Sequence, residues 1–387
     1  MRILYYTWFE HSQEDMAETF LFLGHTVIKC QIPFQDYEQD GRFMEQLSGI
    51  LSESSCDVIF SFNFFPIIAK TAEAVKVKYI SWIYDCPHWT LFSPAAKSPY
   101  NYFFVFDQLQ YLRLECLGFP HMYHFPLAVN TRRLGEVKKG IQKEDNRYQA
   151  DVSFVGSLYD NNLYDRVCYL PEYVRGYLEG IMQAQLMVYG YNFVSELLEE
   201  KIVEQMNQYI KMDLPESYQV SKREMYADML NGKITSMERI SLLNDLSQNF
   251  GTILYTGSDP GMVPAAKAGG IVDYCQEMPQ VFFRSKINLN ITLRSIQSGI
   301  PLRALDIMGA GGFLMSNYQP ELARQFEEGK ELALYGSREE LLDKTAYYLS
   351  HEKERQEIAH RGFLKVQKLF SYEMRVRKML ELANLEF

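Results

Sequence analysis

The residues best placed to do chemistry lie between Ser285 and Ser316. Ser285-Lys286-Ile287-Asn288-Leu289-Asn290 alternates polar and apolar side chains as a strand does, and Gly299 with Pro301 announces a helix whose first turn tolerates a missing N–H. A helix start carries free N–H groups and the positive end of the helix dipole, and a loop of Ser298, Gly299 and Ile300 lets a phosphate approach the backbone closely. The chemistry this predicts is anion binding. Arg303 adds positive charge suited to a diphosphate, and Asp306, further along the same helix, suits hydrogen bonds to vicinal sugar hydroxyls. As an exposed helix position, Asp306 should tolerate alanine without loss of the fold. Gly309, Gly311 and Gly312 then permit a close helix-to-strand turn before the buried run Phe313-Leu314-Met315. Two further places add to this set. Gly156-Ser157 follows a strand-like run over 151–155 and can offer N–H donors, and Tyr274 ends a strand-like run over 271–274, where it can pack on a base.

The acid–base candidates lie in the first half. Asp85 and His88 sit on a loop at the end of a strand-like run over 79–84, and Glu10 and His11 hold a similar position after the first strand. Trp82 and Trp89 lie near these loops and could stack on an acceptor, while Asp107 suits the cap of a following helix. Metal chemistry has little support. The chain contains no Asp-x-Asp, and His121 and His124 flank a strand without a third ligand.

The elements that must position these residues alternate. Strand-like runs over 3–7, 26–30, 57–61, 79–84, 101–106 and 122–125 are separated by amphipathic stretches over 14–23, 43–51 and 67–75, which predicts a parallel sheet covered on both faces. The pattern resumes at 151–155, breaks for a mostly helical insertion over about 160–250 with helices expected at 173–186, 193–209 and 236–246, and returns from 252 onward. A capping box, Ser337-Arg338-Glu339-Glu340, opens the C-terminal helices. We therefore read residues 1–135 as one α/β domain, 136–150 as a polar linker, 151–370 as a second domain, and 371–387 as a final helix able to cross back to the first. At 387 residues and 47% hydrophobic content, two domains with real cores are expected and disorder is not.

A net charge of −10 argues against a nucleic-acid partner. The six cysteines (Cys30, Cys56, Cys86, Cys116, Cys168 and Cys275) contain no Cys-x-x-Cys pair, which fits a reducing compartment. Met1-Arg2-Ile3-Leu4-Tyr5-Tyr6 runs directly into a strand pattern without a signal peptide, and no apolar run reaches membrane-spanning length, so a cytoplasmic location is expected.

The segment from Ser285 to Ser316 resembles the donor-binding part of GT-B glycosyltransferases, both the group 1 enzymes and the bacterial spore-maturation (CgeB-like) proteins. In the group 1 pattern Asp306-Ile307-Met308-Gly309 matches the second of two acidic positions, expected to bind ribose, whereas the first acidic position is Ser298 here. The CgeB-like pattern is matched more fully, through Ser-Lys-Ile-Asn-Leu-Asn at 285–290, Arg303, Asp306 and Gly-Gly-Phe-Leu at 311–314. Asp151 to Ser157, Asp273-Tyr274 and Met278-Pro279 continue that resemblance, and Tyr84 to Pro87 with Phe125 to Asn130 extend it to the first domain. The resemblance implies a GT-B fold: two Rossmann-like domains facing each other across a cleft, here with a helical insertion in the second. It also places Asn288, Asn290, Arg303 and Asp306 in the donor site. The activity implied is metal-independent transfer of a sugar from a nucleotide sugar, most simply a UDP-sugar, to a protein or cell-surface glycan, with no further cofactor. Asp85, His88 and His11 are the catalytic candidates. Two alternatives stay open: a noncatalytic nucleotide-sugar-binding or partner-docking protein of this fold, and a nucleotide-sugar epimerase.

Overall fold

Short apolar runs separated by amphipathic stretches fold into two parallel sheets. The computed structural model describes residues 1–140, 147–167 and 169–385. Cys168, the part of the expected linker at 141–146 and the last two positions of the expected final helix lie outside these residues. The chain forms two units, Met1–Ala128 with Leu214–Val220 and Leu369–Phe387, and Val129–Asp213 with Ser221–Lys368.

In the first unit the strands are β1 (Arg2–Tyr6), β2 (Thr26–Cys30), β3 (Val58–Phe62), β4 (Lys78–Ile83), β5 (Asn101–Val105) and β6 (Met122–His124). All pairings are parallel and the order is β2-β1-β3-β4-β5-β6. β3 and β5 are buried along their whole length, as strands covered on both faces must be, and their runs VIFSF and NYFFV are accordingly almost uninterrupted apolar sequence. The final helix, Tyr372–Leu382, packs in this unit, with Tyr372 edge-on to Trp82 at 5.9 Å. Trp82 is thus a fully buried core residue between Phe62, Phe125 and Tyr372, not a surface for an acceptor. Asp107 caps the helix Gln108–Glu115, accepting from the Gln110 N–H at 2.8 Å.

The second unit contains β7 (Val152–Val155), β8 (Thr252–Tyr255), β9 (Lys267–Gly270), β10 (Ile287–Asn290), β11 (Leu314–Asn317) and β12 (Ala333–Tyr335), again all parallel, in the order β12-β11-β10-β7-β8-β9. Its first strand is central, and the order reverses between β7 and β10. The turn from helix Leu302–Gly309 into β11 needs its glycines. Gly311 has φ +82°, and a Cβ on Gly312 would lie 2.5 Å from the Phe282 carbonyl oxygen.

Several expected elements differ. Residues 131–140, within or next to the expected linker, form a helix anchored by buried Thr131 and Leu134. The strand expected at 271–274 lies earlier, at Lys267–Gly270, because pairing with β8 selects a run that is exposed and Gly-rich, which periodicity overlooks. The expected helix at 193–209 is two, Val194–Leu197 and Glu200–Tyr209. The helix expected at 236–246 is the end of a 28-residue helix, Lys222–Asn249, capped by Ser221 accepting from the Glu224 N–H. Its early turns bury Met225, Tyr226, Met229, Leu230 and Ile234 in the insertion's own core, while Leu242, Leu243 and Leu246 pack on the sheet. Two burial partners mean no single apolar stripe to read. No helix among the described residues is long and apolar enough to cross a membrane.

Candidate functional site

In an open parallel sheet, ligands bind beyond the carboxyl ends of the strands where the strand order reverses. In the second unit that point lies between the loop after β7, which carries Gly156 and Ser157, and the loop after β10, which runs from Ile291 to Pro301. Arg239 of the long helix joins the two. Its Nη1 donates to the Ser157 carbonyl at 2.6 Å, and its Nε (3.1 Å) and Nη2 (2.5 Å) both donate to the Ile291 carbonyl. The guanidinium is flanked by the Phe154 and Tyr159 rings at 5.4 and 5.0 Å. Burial lowers its proton affinity, Tyr159 and Glu238 oppose this, and the nearby Arg303 charge lowers it further. An anion bound at this strand-order reversal would draw on such cations. Sequence reading missed Arg239, which lies in the middle of the expected helix 236–246.

Arg303 and Asp306 stand on helix Leu302–Gly309, whose N-cap is Pro301. Asp306 is not on an exposed face. It is 2% exposed, and its two oxygens meet the Tyr274 hydroxyl at 3.2 Å and Arg303 Nη1 at 3.4 Å. Both bonds are long, the kind that sugar hydroxyls can replace. Arg303 also meets Met278 Sδ and lies over the Phe282 ring, and Tyr274 is half-buried beneath the Arg133 guanidinium, 5.4 Å away. Tyr274, Arg303 and Asp306 are therefore brought together.

Ser298, Gly299 and Ile300 are all buried at the end of the loop. Ser298 Oγ donates to Glu321 Oε1 at 2.9 Å, while the Glu321 N–H donates to the Ser298 carbonyl at 3.0 Å. Glu321, from the first turn of helix Pro320–Gln325 just beyond β11, thus sets a carboxylate beside the serine that stands where the group 1 pattern has its first acid. Nothing in local spacing links the two positions; the pairing of β10 with β11 does. Asn288 and Asn290 are also buried. Asn288 accepts from Ser153 at 2.8 Å and donates to the Phe282 carbonyl at 2.9 Å, and Asn290 donates to Thr292 and Ser316 at 3.0 and 2.9 Å. Their amides bind the scaffold together. Ser157 is exposed and its Oγ accepts from the Tyr159 N–H at 2.9 Å.

In the first unit the order reverses at β1 and β3, and the loops beyond β1, β3 and β4 hold the other candidates. Glu10 is buried, accepting from the Tyr5 hydroxyl at 2.5 Å and the Trp8 N–H at 2.9 Å; burial raises its pKa against the pull of both bonds. Asp85 is exposed and held by Asn63 Nδ2 at 2.8 Å, while Asn63 Oδ1 accepts from the N–H groups of Tyr84 and Asp85. His88 Nε2 accepts from the Phe64 N–H at 3.0 Å and lies 2.7 Å from the Thr90 hydroxyl. Nε2 also lies 3.1 Å from the Phe64 carbonyl oxygen, so this ring nitrogen is already engaged, and burial lowers the pKa of the ring. His11 is exposed on the loop after β1.

Residues 242–381 match the family model described as Glycosyl transferase-like, and this domain makes the protein a transferase enzyme. A search of curated proteins by sequence finds no match. Among solved structures the chain is similar to a glycosyltransferase from Rickettsia africae, at 10% identity and TM-score 0.56 over 99% of this chain and 97% of that one. It is equally similar to sucrose-phosphate synthase from Thermosynechococcus elongatus, at 10% identity and TM-score 0.56 over 99% and 98%. HepE from Anabaena in complex with UDP matches at 9% identity and TM-score 0.51 over 99% and 100%. At such identities the likeness is one of fold, and the fold is GT-B.

Proposed function

We propose that the protein transfers a sugar from a UDP-sugar to a hydroxyl of a glycan or protein acceptor, without a metal ion, in the cytoplasm, as a relative of the CgeB-like proteins. The observation that carries this reading is Arg239 spanning Ser157 and Ile291 at the strand-order reversal, with Arg303 near enough for its charge to be felt. In the reaction the bond between the anomeric carbon and the β-phosphate oxygen breaks and the acceptor oxygen takes its place. The departing diphosphate gains negative charge, which Arg239 and Arg303 offset in the role a metal ion otherwise plays. Asp306 and Tyr274 receive the ribose and the base. UDP is favoured as the nucleotide because the Anabaena structure of this fold holds it. The acceptor is assigned to the carboxyl edge of the first unit, where Asp85 is the exposed carboxylate able to take the hydroxyl proton. Cys30, Cys56 and Cys116, all thiols outside any disulfide, suit a reducing compartment.

Calorimetric titration with UDP, GDP and dTDP, each with and without EDTA, tests the donor site. UDP should bind with the same affinity in both conditions, and Asp306→Asn should weaken it by about tenfold, the value of a hydrogen bond to a charged group. Absence of binding by all three nucleotides would overturn the reading, and release of UDP from a UDP-sugar only when an acceptor is added would establish transfer.

A further inference from the structure

The loop after β10 has no regular structure from Ile291 to Pro301, yet a series of side chains from the helical insertion holds it. Beginning at the sheet, Arg239 takes the Ile291 carbonyl, Thr235 Oγ1 accepts from the Arg294 N–H at 3.0 Å, Asn192 Nδ2 donates to the Arg294 carbonyl at 3.0 Å and to Asn231 at 2.8 Å, and Ser295 Oγ donates to Asp228 at 2.5 Å. Arg239, Thr235, Asn231 and Asp228 succeed one another backwards along one helix as the loop advances. The loop is laid along that helix.

Arg294 is the centre of this arrangement. Its side chain is 7% exposed, its Nε donates to Glu238 at 2.7 Å, its Nη1 donates to the Val188 carbonyl at 2.8 Å, and its guanidinium lies 4.6 Å from the Tyr189 ring. Among the described residues, Arg294 Nη2 and Glu238 Oε1 find no hydrogen-bond partner and are buried. An ion pair left partly unsatisfied in the interior is a poor device for stability, since its desolvation rivals its Coulombic gain. It is, however, a good device for fixing one backbone path.

On the reading that this loop receives the nucleotide diphosphate, we infer that the helical insertion is the mould of the donor loop, with Arg294, Glu238, Asn192 and Asp228 as positioning residues. None of these four need touch the ligand. Their effect is to hold the backbone from Ile291 to Pro301 in the course that brings Ser298 to Arg303 to the ligand.

The test separates placement from stability. Glu238→Met combined with Arg294→Met replaces both charges by apolar groups of similar bulk, which conserves or raises stability when a pair is only structural. The expected result is a melting temperature no lower than that of the wild type, a UDP dissociation constant raised by at least about tenfold, and faster hydrogen exchange at the amides of 293–300. Asp228→Ala should raise the UDP dissociation constant about threefold, and Asp228→Asn, whose amide oxygen still accepts from Ser295, should restore it. UDP affinity within twofold of wild type in both the double variant and Asp228→Ala would overturn the inference. If the double variant does not fold, the Asp228 pair decides alone. If the wild type itself does not bind UDP, the donor-site reading fails first and this inference falls with it.

Discussion

The carboxyl edges of the two sheets are built on the same plan and furnished with different side chains. In the first unit the strand-order reversal is held by acids and aromatics: Glu10 clamped by Tyr5 and Trp8, Asp85 clamped by Asn63, and Phe9 standing out 80% exposed between two anchored neighbours. In the second it is held by arginines, with Arg239 across β7 and β10, Arg294 in the loop and Arg303 on the following helix. The parallel sheet decides where a ligand can sit, and the side chains at the reversal decide its charge.

Four substitutions sharpen this contrast. The largest effect is expected from Arg239→Met, which removes the charge and frees two carbonyls; UDP affinity should fall by about a hundredfold, comparable to losing two charge-assisted hydrogen bonds. A calorimetric Kd within threefold of wild type would show that the arginines are scaffold only. Next is Glu10→Gln, which has one acceptor oxygen for two donors and leaves a buried group unsatisfied. It should cost about 1–3 kcal/mol in stability, read by denaturant titration, while leaving UDP affinity unchanged. An altered UDP affinity would mean the two edges are not independent.

The third is a pH effect. Burial pushes the Asp228 carboxyl up to about 6, against a lowering by the Ser295 hydrogen bond. Its folded pKa lies above its unfolded value, so the folded state holds the proton more tightly, and the stabilisation present at low pH is lost as pH rises through about 6. Compared with Asp228→Asn, the wild type should therefore lose roughly 2 kcal/mol between pH 4 and 7, and parallel stability curves for the two proteins would refute the shift.

The smallest effect is Phe9→Gly. Phe9 holds φ +66°, a conformation unfavourable for a bulky side chain and open to glycine. With so little of the ring buried, the variant should gain about 1 kcal/mol, seen as a rise of a few degrees in melting temperature, and a fall would mean that the ring packs in solution.

Much of the fold was legible because parallel strands buried on both faces leave near-continuous apolar runs, as in β3 and β5, and because Gly311-Gly312 and the Ser337 cap are local signals, the latter accepting from the Glu340 N–H at 3.1 Å. The elements that sequence reading misplaced were those defined by partners. β9 exists through its pairing with β8, and the front of the long helix buries its apolar residues in the insertion rather than on the sheet. The site divides the same way. Sequence alone supplied the donor-site candidates Gly156, Ser157, Tyr274, Arg303 and Asp306, which sit on loops and one short helix, from residue type and short spacing. Only the tertiary structure decided that Asn288 and Asn290 face inward to bind strands together, that Asp306 is buried against Tyr274, and that Arg239 and Glu321 reach the same loop as Ser298. Arg239 lies 52 positions from Ile291, and Glu321 lies 23 from Ser298. At such separations no periodicity survives in the chain, and only the order of strands in the sheet, settled by packing, brings the groups within hydrogen-bonding distance.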